Sequence, residues 1–263
     1  MQLILYFIIS LGATTVGAMT GMGGGVIIKP VLDVLNQYDV ATISMLSCIT
    51  VFAMAVVSIA KQVRQKTPVP FQLAMSLAIG SMIGGDIGAR ILNYVIHIIG
   101  SNRLALVCQN ICLGILIVLV FVYMLVRDHI PSLHLQGVGS GLLVGAMLGF
   151  FSSFLGIGGG PINVAAFLLV FSMEIKTATV CSIITILFAQ IAKLASAAMT
   201  TGFAIFNFSM LPAMVIGAAL GGFLGAVLNK RLPPKTVEIG FNAVQLAVLC
   251  ICIWNIARNL LTL

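Results

Sequence analysis

Gly21-Met22-Gly23-Gly24-Gly25 and Gly156-Ile157-Gly158-Gly159-Gly160 decide how this chain is to be read. One pattern interrupts two apolar runs, at an offset of 135 residues from Gly23 to Gly158. A second block repeats with it. Ile79-Gly80-Ser81-Met82-Ile83-Gly84-Gly85-Asp86-Ile87-Gly88-Ala89 aligns with Ile216-Gly217-Ala218-Ala219-Leu220-Gly221-Gly222-Phe223-Leu224-Gly225-Ala226, with six identities in eleven positions at an offset of 137. Ala41-Thr42 and Ala178-Thr179 pair at that same offset of 137. Motifs recurring at a fixed spacing mark a duplicated architecture, here a first repeat over 1–128, a connection over 129–135 and a second repeat over 136–263. The opening Met1–Ala18 has the apolar run and small residues of a signal peptide. It lacks a basic start and has a twin beginning near Gly137, so it is expected to belong to the folded protein.

The surroundings of these motifs are apolar almost throughout. Of 263 residues, 60% are hydrophobic and 7% charged, where a soluble domain has about a quarter charged. Stretches of about 20 apolar residues, the length that crosses a hydrocarbon core of roughly 30 Å, recur from end to end. The reading is an all-α polytopic membrane protein with about eight transmembrane helices, near 2–22, 41–60, 71–96, 104–126, 138–156, 178–200, 208–228 and 237–257. Between the first and second span of each half lies a piece too short to cross alone, Val26–Leu35 and Pro161–Phe171. A half-helix or re-entrant segment is expected there, with the glycine breaks near the midplane. The most polar runs are short connections such as Lys61–Pro70 and Asn229–Glu238, so function must sit within or between the helices.

The net charge is +7, from 13 Lys and Arg against 6 Asp and Glu. In a chain of this kind it reflects loops facing anionic lipid, and no nucleic-acid partner is expected, because no basic stripe runs beside stacking aromatics. Lys61, Arg64 and Lys66 follow the second span, whereas the equivalent connection, Met199–Asn207, carries no charge. Lys230, Arg231 and Lys235 follow the seventh span instead. Equivalent loops then face opposite sides, as in inverted repeats. Four crossings per half would make the halves parallel. Either one short piece per half completes an odd crossing, or Arg90 and Arg103 draw the 91–103 connection inside; inverted repeats are the expectation.

Three glycines in a row break a helix, and irregular backbone at membrane depth is tolerated only where it is buried or lines a cavity. Gly23, Gly24 and Gly25, with Gly158, Gly159 and Gly160, can turn sharply and expose backbone amides, and Pro161 suits the first turn of a following helix. Free amides at the positive end of a helix dipole make an anion cradle. Neither run is a Walker loop, since no Lys-Ser/Thr follows. The glycines spaced by four, Gly80, Gly84, Gly88 and Gly217, Gly221, Gly225, read instead as faces for close helix packing.

The paired GxGGG blocks, the run Gly23-Gly24-Gly25-Val26-Ile27-Ile28-Lys29-Pro30, the small-residue helix IGSMIGGDIGA and the duplication resemble the TauE/SafE sulfite exporter family of membrane permeases over essentially the whole chain. The resemblance implies a secondary transporter moving a small anion, a sulfur oxyanion or organosulfonate such as sulfite or sulfoacetate, in the cell (inner) membrane of a prokaryote. One departure matters: the counterpart of Pro30 at the 135 offset is Ala165, and a proline sits at Pro161 instead. The two half-sites are therefore not equivalent.

Polar residues at membrane depth are each read twice, because charges there are costly. Lys193, one turn after Gln190, supplies positive charge to an anion or snorkels to the interface. Lys29 faces the same anion or pairs with Asp33 at i+4. Asp86 and Arg90, also i and i+4, read as a self-neutralising pair, and Glu174 and Lys176 as solvated. Ser47 and Thr50 match Ser182 and Thr185 at the 135 offset; their hydroxyls line a cavity or bond back to the preceding helical turn. Asn163, just after Pro161, is a side-chain donor at the cradle itself.

His97, His129 and His134 form no ligand pattern, so no metal site and no cofactor are expected. Cys48, Cys108, Cys112, Cys181, Cys250 and Cys252 all fall in apolar segments and read as small buried hydrophobes. An enzyme would need a nucleophile with a base, or a metal, and the spans offer neither. The leading function is a transporter that binds its anion between the glycine-broken segments and works by alternating access. A membrane scaffold or assembly factor and an anion channel of the same fold are the alternatives. Expected partners are the small anionic substrate and the lipid bilayer, with a coupling proton or sodium ion and a homo-oligomer left open.

Overall fold

The computed structural model describes residues 2–65, 70–99, 102–135, 137–155, 159–200 and 202–261. Within them the chain is helical: α1 (Gln2–Thr20), α2 (Gly25–Leu35), α3 (Val40–Arg64), α4 (Phe71–Ile99), α5 (Asn102–Val126), α6 (Val138–Phe154), α7 (Pro161–Phe171), α8 (Ile175–Thr200), α9 (Leu211–Arg231) and α10 (Pro234–Leu261). Helix boundaries follow local chemistry. The Asp39 carboxylate accepts from the Thr42 amide at 3.2 Å and caps α3. Prolines open α7 and α10, where a missing N–H costs nothing. The short helices α2 and α7 both stop at a left-handed residue, Asn36 with φ 50° and Ser172 with φ 54°.

The course of the chain is fixed by which residues meet. A Cβ on Gly80, Gly84 or Gly88 would overlap the backbone of Leu142, Ala146 and Phe150 in turn, so α4 and α6 lie side by side and run parallel. Gly217, Gly221 and Gly225 meet Ser10, Thr14 and Ala18 in the same order, so α1 and α9 are also parallel. These glycine faces therefore serve close helix packing. By contrast α3 and α8 are antiparallel, with Ser44 at Lys193 and Cys48 at Gln190. So are α5 and α10, with Arg127 at Glu238 and Asn110 at Asn255.

Only one path satisfies these directions. The first helix of each half runs inward, the glycine break turns the chain, and the short helix returns it to the end it came from. Tyr38, just past α2, is back beside Tyr6 near the start of α1 with ring centroids 6.3 Å apart. In the other half Leu133 and Leu135, ahead of α6, donate their amides to Leu169 and Val170 near the end of α7, both at 2.9 Å. From Tyr6 to Thr20 the first hairpin reaches about 20 Å deep at 1.5 Å per residue. Each half is thus a re-entrant hairpin followed by three long helices, and the second half runs opposite to the first.

The expectation from the sequence is about eight spans. Among the described residues seven helices, α1, α3, α4, α5, α8, α9 and α10, are long and apolar enough to cross a membrane, and α6, with 17 residues, is shorter. Chain direction then removes α1 as well, because α2 brings it back. Three crossings per half is an odd number, and the conflict between span count and loop charge disappears. Lys176, Lys230 and Arg127 gather accordingly at one end. Lys176 Nζ donates to the Lys230 carbonyl at 3.2 Å, Lys230 Nζ to the Gln65 carbonyl at 3.4 Å, and Arg127 pairs with Glu238 at 2.8 Å.

Candidate functional site

The two hairpins enter from opposite ends and their tips meet at the middle of α8. The Ser182 hydroxyl donates to the Gly21 carbonyl at 2.6 Å, and Thr179 Oγ1 lies 3.4 Å from the Thr20 carbonyl, so α8 holds the first tip directly. Ile186, one turn on, touches both: a Cβ at either Gly23 or Gly159 would run into its side chain. The tips also face each other, with the Cβ position of Gly160 lying 3.4 Å from the Met22 carbonyl oxygen and 3.6 Å from Val26. Met22, Val26 and Ile186 are fully buried.

Glycine is required here by backbone as well as by space. Gly23 and Gly24 have φ of 73° and 53°, and Gly159 and Gly160 have 96° and 141°, all in the region that L side chains avoid. The turns consume some of the amides: Gly23 donates to Gly17, Gly25 to Gly23, and Asn163 to Gly160. Among the described residues the amides of Gly24 and Val26 on one tip, and of Gly159, Gly160 and Ile162 on the other, donate to no protein acceptor. Each set sits at the N-terminus of a short helix, where the dipole favours negative charge.

Around the tips the predicted side chains divide. Asn163 is buried at the second tip, its Oδ1 without a partner among the described residues and its Nδ2 3.1 Å from where Gly159 would carry a Cβ. Gln190 is buried one turn beyond Ile186, its Oε1 likewise without a partner among them. Thr50 and Thr185 donate to Leu46 and Cys181 at 2.7 and 2.9 Å, bonding back along their own helices. Ser47 is buried on α3 at the position matching Ser182; its matching acceptor would be Gly156, which with Ile157 and Gly158 lies outside the described residues. Pro161 opens α7 as expected.

Lys29 does not project to the tips unpaired. Its ammonium lies 3.0 Å from Asp33 Oδ2, and both side chains are buried. Lys193 stands apart, two turns past Ile186, where it donates to Ser44 Oγ at 2.7 Å and to the Ser44 carbonyl at 3.3 Å. Asp86 and Arg90 pair at 2.8 Å on an exposed face. Sequence reading passed over Ser44, Thr179 and Ile186. Hydroxyls recur at Ser44 and Thr179 at the 135 offset, a signal that was available, whereas nothing marks Ile186 among the many isoleucines.

Paired re-entrant hairpins of opposite direction, meeting inside a bundle of apolar helices, are the architecture of inverted-repeat membrane transporters. The chain belongs to the family described as Sulfite exporter TauE/SafE, which matches residues 6–251. It is also similar to the Probable membrane transporter protein YunE of Bacillus subtilis (strain 168), with 25% identity over 286 aligned positions covering 97% of this chain and 98% of that protein. No solved structure matches it. The protein is a membrane transporter of this family.

Proposed function

We propose that this transporter moves a small anion, a sulfur oxyanion or organosulfonate, across the cytoplasmic membrane by alternating access, with the anion held between the hairpin tips. The observation that carries the reading is the pair of amide sets at two converging helix N-termini, Gly24 and Val26 opposite Gly159, Gly160 and Ile162, which donate to no acceptor among the described residues. Asn163 adds a side-chain amide beside them. Amides and dipole ends bind an anion without fixing it by a full charge, which permits release. The repeats over 1–128 and 136–263 rock against each other around α3 and α8, exposing the tips to one side and then the other. Clustering of Lys176, Lys230 and Arg127 supports a cytoplasmic position for their end of the bundle, by the positive-inside rule.

Uptake by proteoliposomes of labelled sulfite, sulfate, thiosulfate, sulfoacetate, taurine and a carboxylate control tests this, with and without proton or sodium gradients. Saturable uptake of one anion, accelerated by the same anion on the far side and lost in Gly159→Ala, is expected. Flux without saturation or trans-stimulation would make the protein a channel. No flux from folded, inserted protein would leave the tips as structural joints.

A further inference from the structure

Three side chains that carry full charge are buried among the described residues: Lys29, Asp33 and Lys193. Lys29 and Asp33 neutralise one another. Lys193 has no such partner, since among the described residues no carboxylate stands within ion-pair distance of it, and its ammonium donates only to the hydroxyl and carbonyl of Ser44. The buried charges therefore sum to +1. An ammonium held away from water without a counter-ion is costly, and two neutral oxygens return only part of what water supplied.

The ammonium also borders open space. It lines a cavity of about 110 Å3 enclosed by α3, α4, α8 and the connection before α9, whose other walls include Ser44, Ser196, Thr200, Leu92 and Phe206. That is several times the roughly 10–15 Å3 that admits one water. Ser196 and Thr200 follow Lys193 by one and two turns, so the three polar groups share a face of α8. The cavity begins about 10 Å along α8 from Ile186, away from the basic end. At the 135 offset the counterpart of Lys193 is Ser58, so the charge exists on one side of the tips only.

We propose that Lys193 and this cavity form a second anion station between the hairpin tips and the end of the bundle opposite the basic cluster, and that its single uncompensated ammonium makes the cargo monovalent. The proposal rests on the anion-transport reading above and deepens it. A monoanion at Lys193 brings the buried charges to zero. A dianion leaves one negative charge over, against walls such as Leu92 and Phe206 that carry no dipole to receive it. Those same walls accept a short apolar body, so a small alkanesulfonate is matched and a fully hydrated divalent oxyanion is not.

The test uses full-length protein in proteoliposomes, with labelled methanesulfonate as the probe and unlabelled methanesulfonate, sulfate and 1,2-ethanedisulfonate as competitors. In wild type the monovalent competitor is expected to be at least tenfold more effective than either divalent one. Lys193→Arg keeps that ranking, because guanidinium keeps the charge. Lys193→Met raises KM for methanesulfonate tenfold or more and erases the ranking. Equal competition by monovalent and divalent anions in wild type, which needs no variant to fold, overturns the proposal. So does a ranking that survives Lys193→Met in monodisperse protein. If Gly159→Ala abolishes flux while Lys193→Met leaves the ranking intact, the hairpin site stands and the Lys193 station falls; if wild type moves no anion, both fall.

Discussion

Ser182 and Gly21 are joined across 161 residues of sequence by a buried hydrogen bond of 2.6 Å, from the hydroxyl of α8 to a carbonyl in the tip of the first hairpin. The bond fixes that tip together with the longer contact of Thr179 Oγ1 with the Thr20 carbonyl. In Ser182→Ala the Gly21 carbonyl loses its donor in a dry setting, at a cost of about 1–3 kcal/mol. We expect a lower melting temperature in detergent and a slower anion flux. Ser182→Thr, which keeps the hydroxyl, restores more of both than Ser182→Cys.

Two glycines in helices with opposite surroundings provide an internal control. A Cβ on Gly84 overlaps the Ala146 carbonyl, while a Cβ on Gly12 meets nothing within 4 Å. Gly84→Ala must push α4 and α6 apart, at a cost of about 3 kcal/mol. Gly12→Ala gains about 0.5–1 kcal/mol from helix propensity. Thermal melts of the two purified variants should move in opposite directions from wild type.

The Lys29–Asp33 pair can be separated into structure and function by a double-mutant cycle. Asp33→Leu or Lys29→Met alone leaves one buried charge unmatched, with an expected loss of about 3–5 kcal/mol. The combined Lys29→Met, Asp33→Leu variant should recover most of that loss, since an apolar pair of similar size avoids the burden altogether. Measured stabilities of the four proteins give the coupling directly. Near-additive losses would show that the two residues act separately.

Hairpins that return to their starting end place Gln37 and Lys235 on opposite faces of the membrane. In a background freed of the six native cysteines, Lys235→Cys should react with an impermeant thiol reagent only from the cytoplasm, and Gln37→Cys only from outside. Reaction of both from one side would break the hairpin topology.

The duplication and its inverted sense were legible because glycine motifs and loop charges survive in the sequence as spacing. The crossing count was not. Nothing in the hydropathy of Gln2–Thr20 distinguishes it from a true span, and what turns the chain back is the positive φ at Gly23 and Gly24, a backbone property that composition does not encode. The hydroxyls of Thr50 and Thr185 were visible as a matched pair, yet their engagement with Leu46 and Cys181 depends on rotamer, which pattern cannot supply. Lys193 could be seen as a buried cation. That it rests on Ser44, 149 positions away, could not, because no local rule relates α3 to α8.

The parallel seating of α1 on α9, and of α6 on α4, has a consequence for how the molecule is made. Ser10 and Thr14 wait for Gly217 and Gly221, a delay of about 200 residues, or on the order of tens of seconds at ribosomal speed. Throughout that interval the nascent first hairpin sits in the bilayer with the groove meant for α9 open to lipid. The second hairpin has no such wait, since α4 is already inserted when α6 emerges. Assembly is therefore asymmetric in time although the finished bundle is nearly symmetric in space, and the early hairpin depends on whatever shelters it at the insertion machinery until its partner arrives.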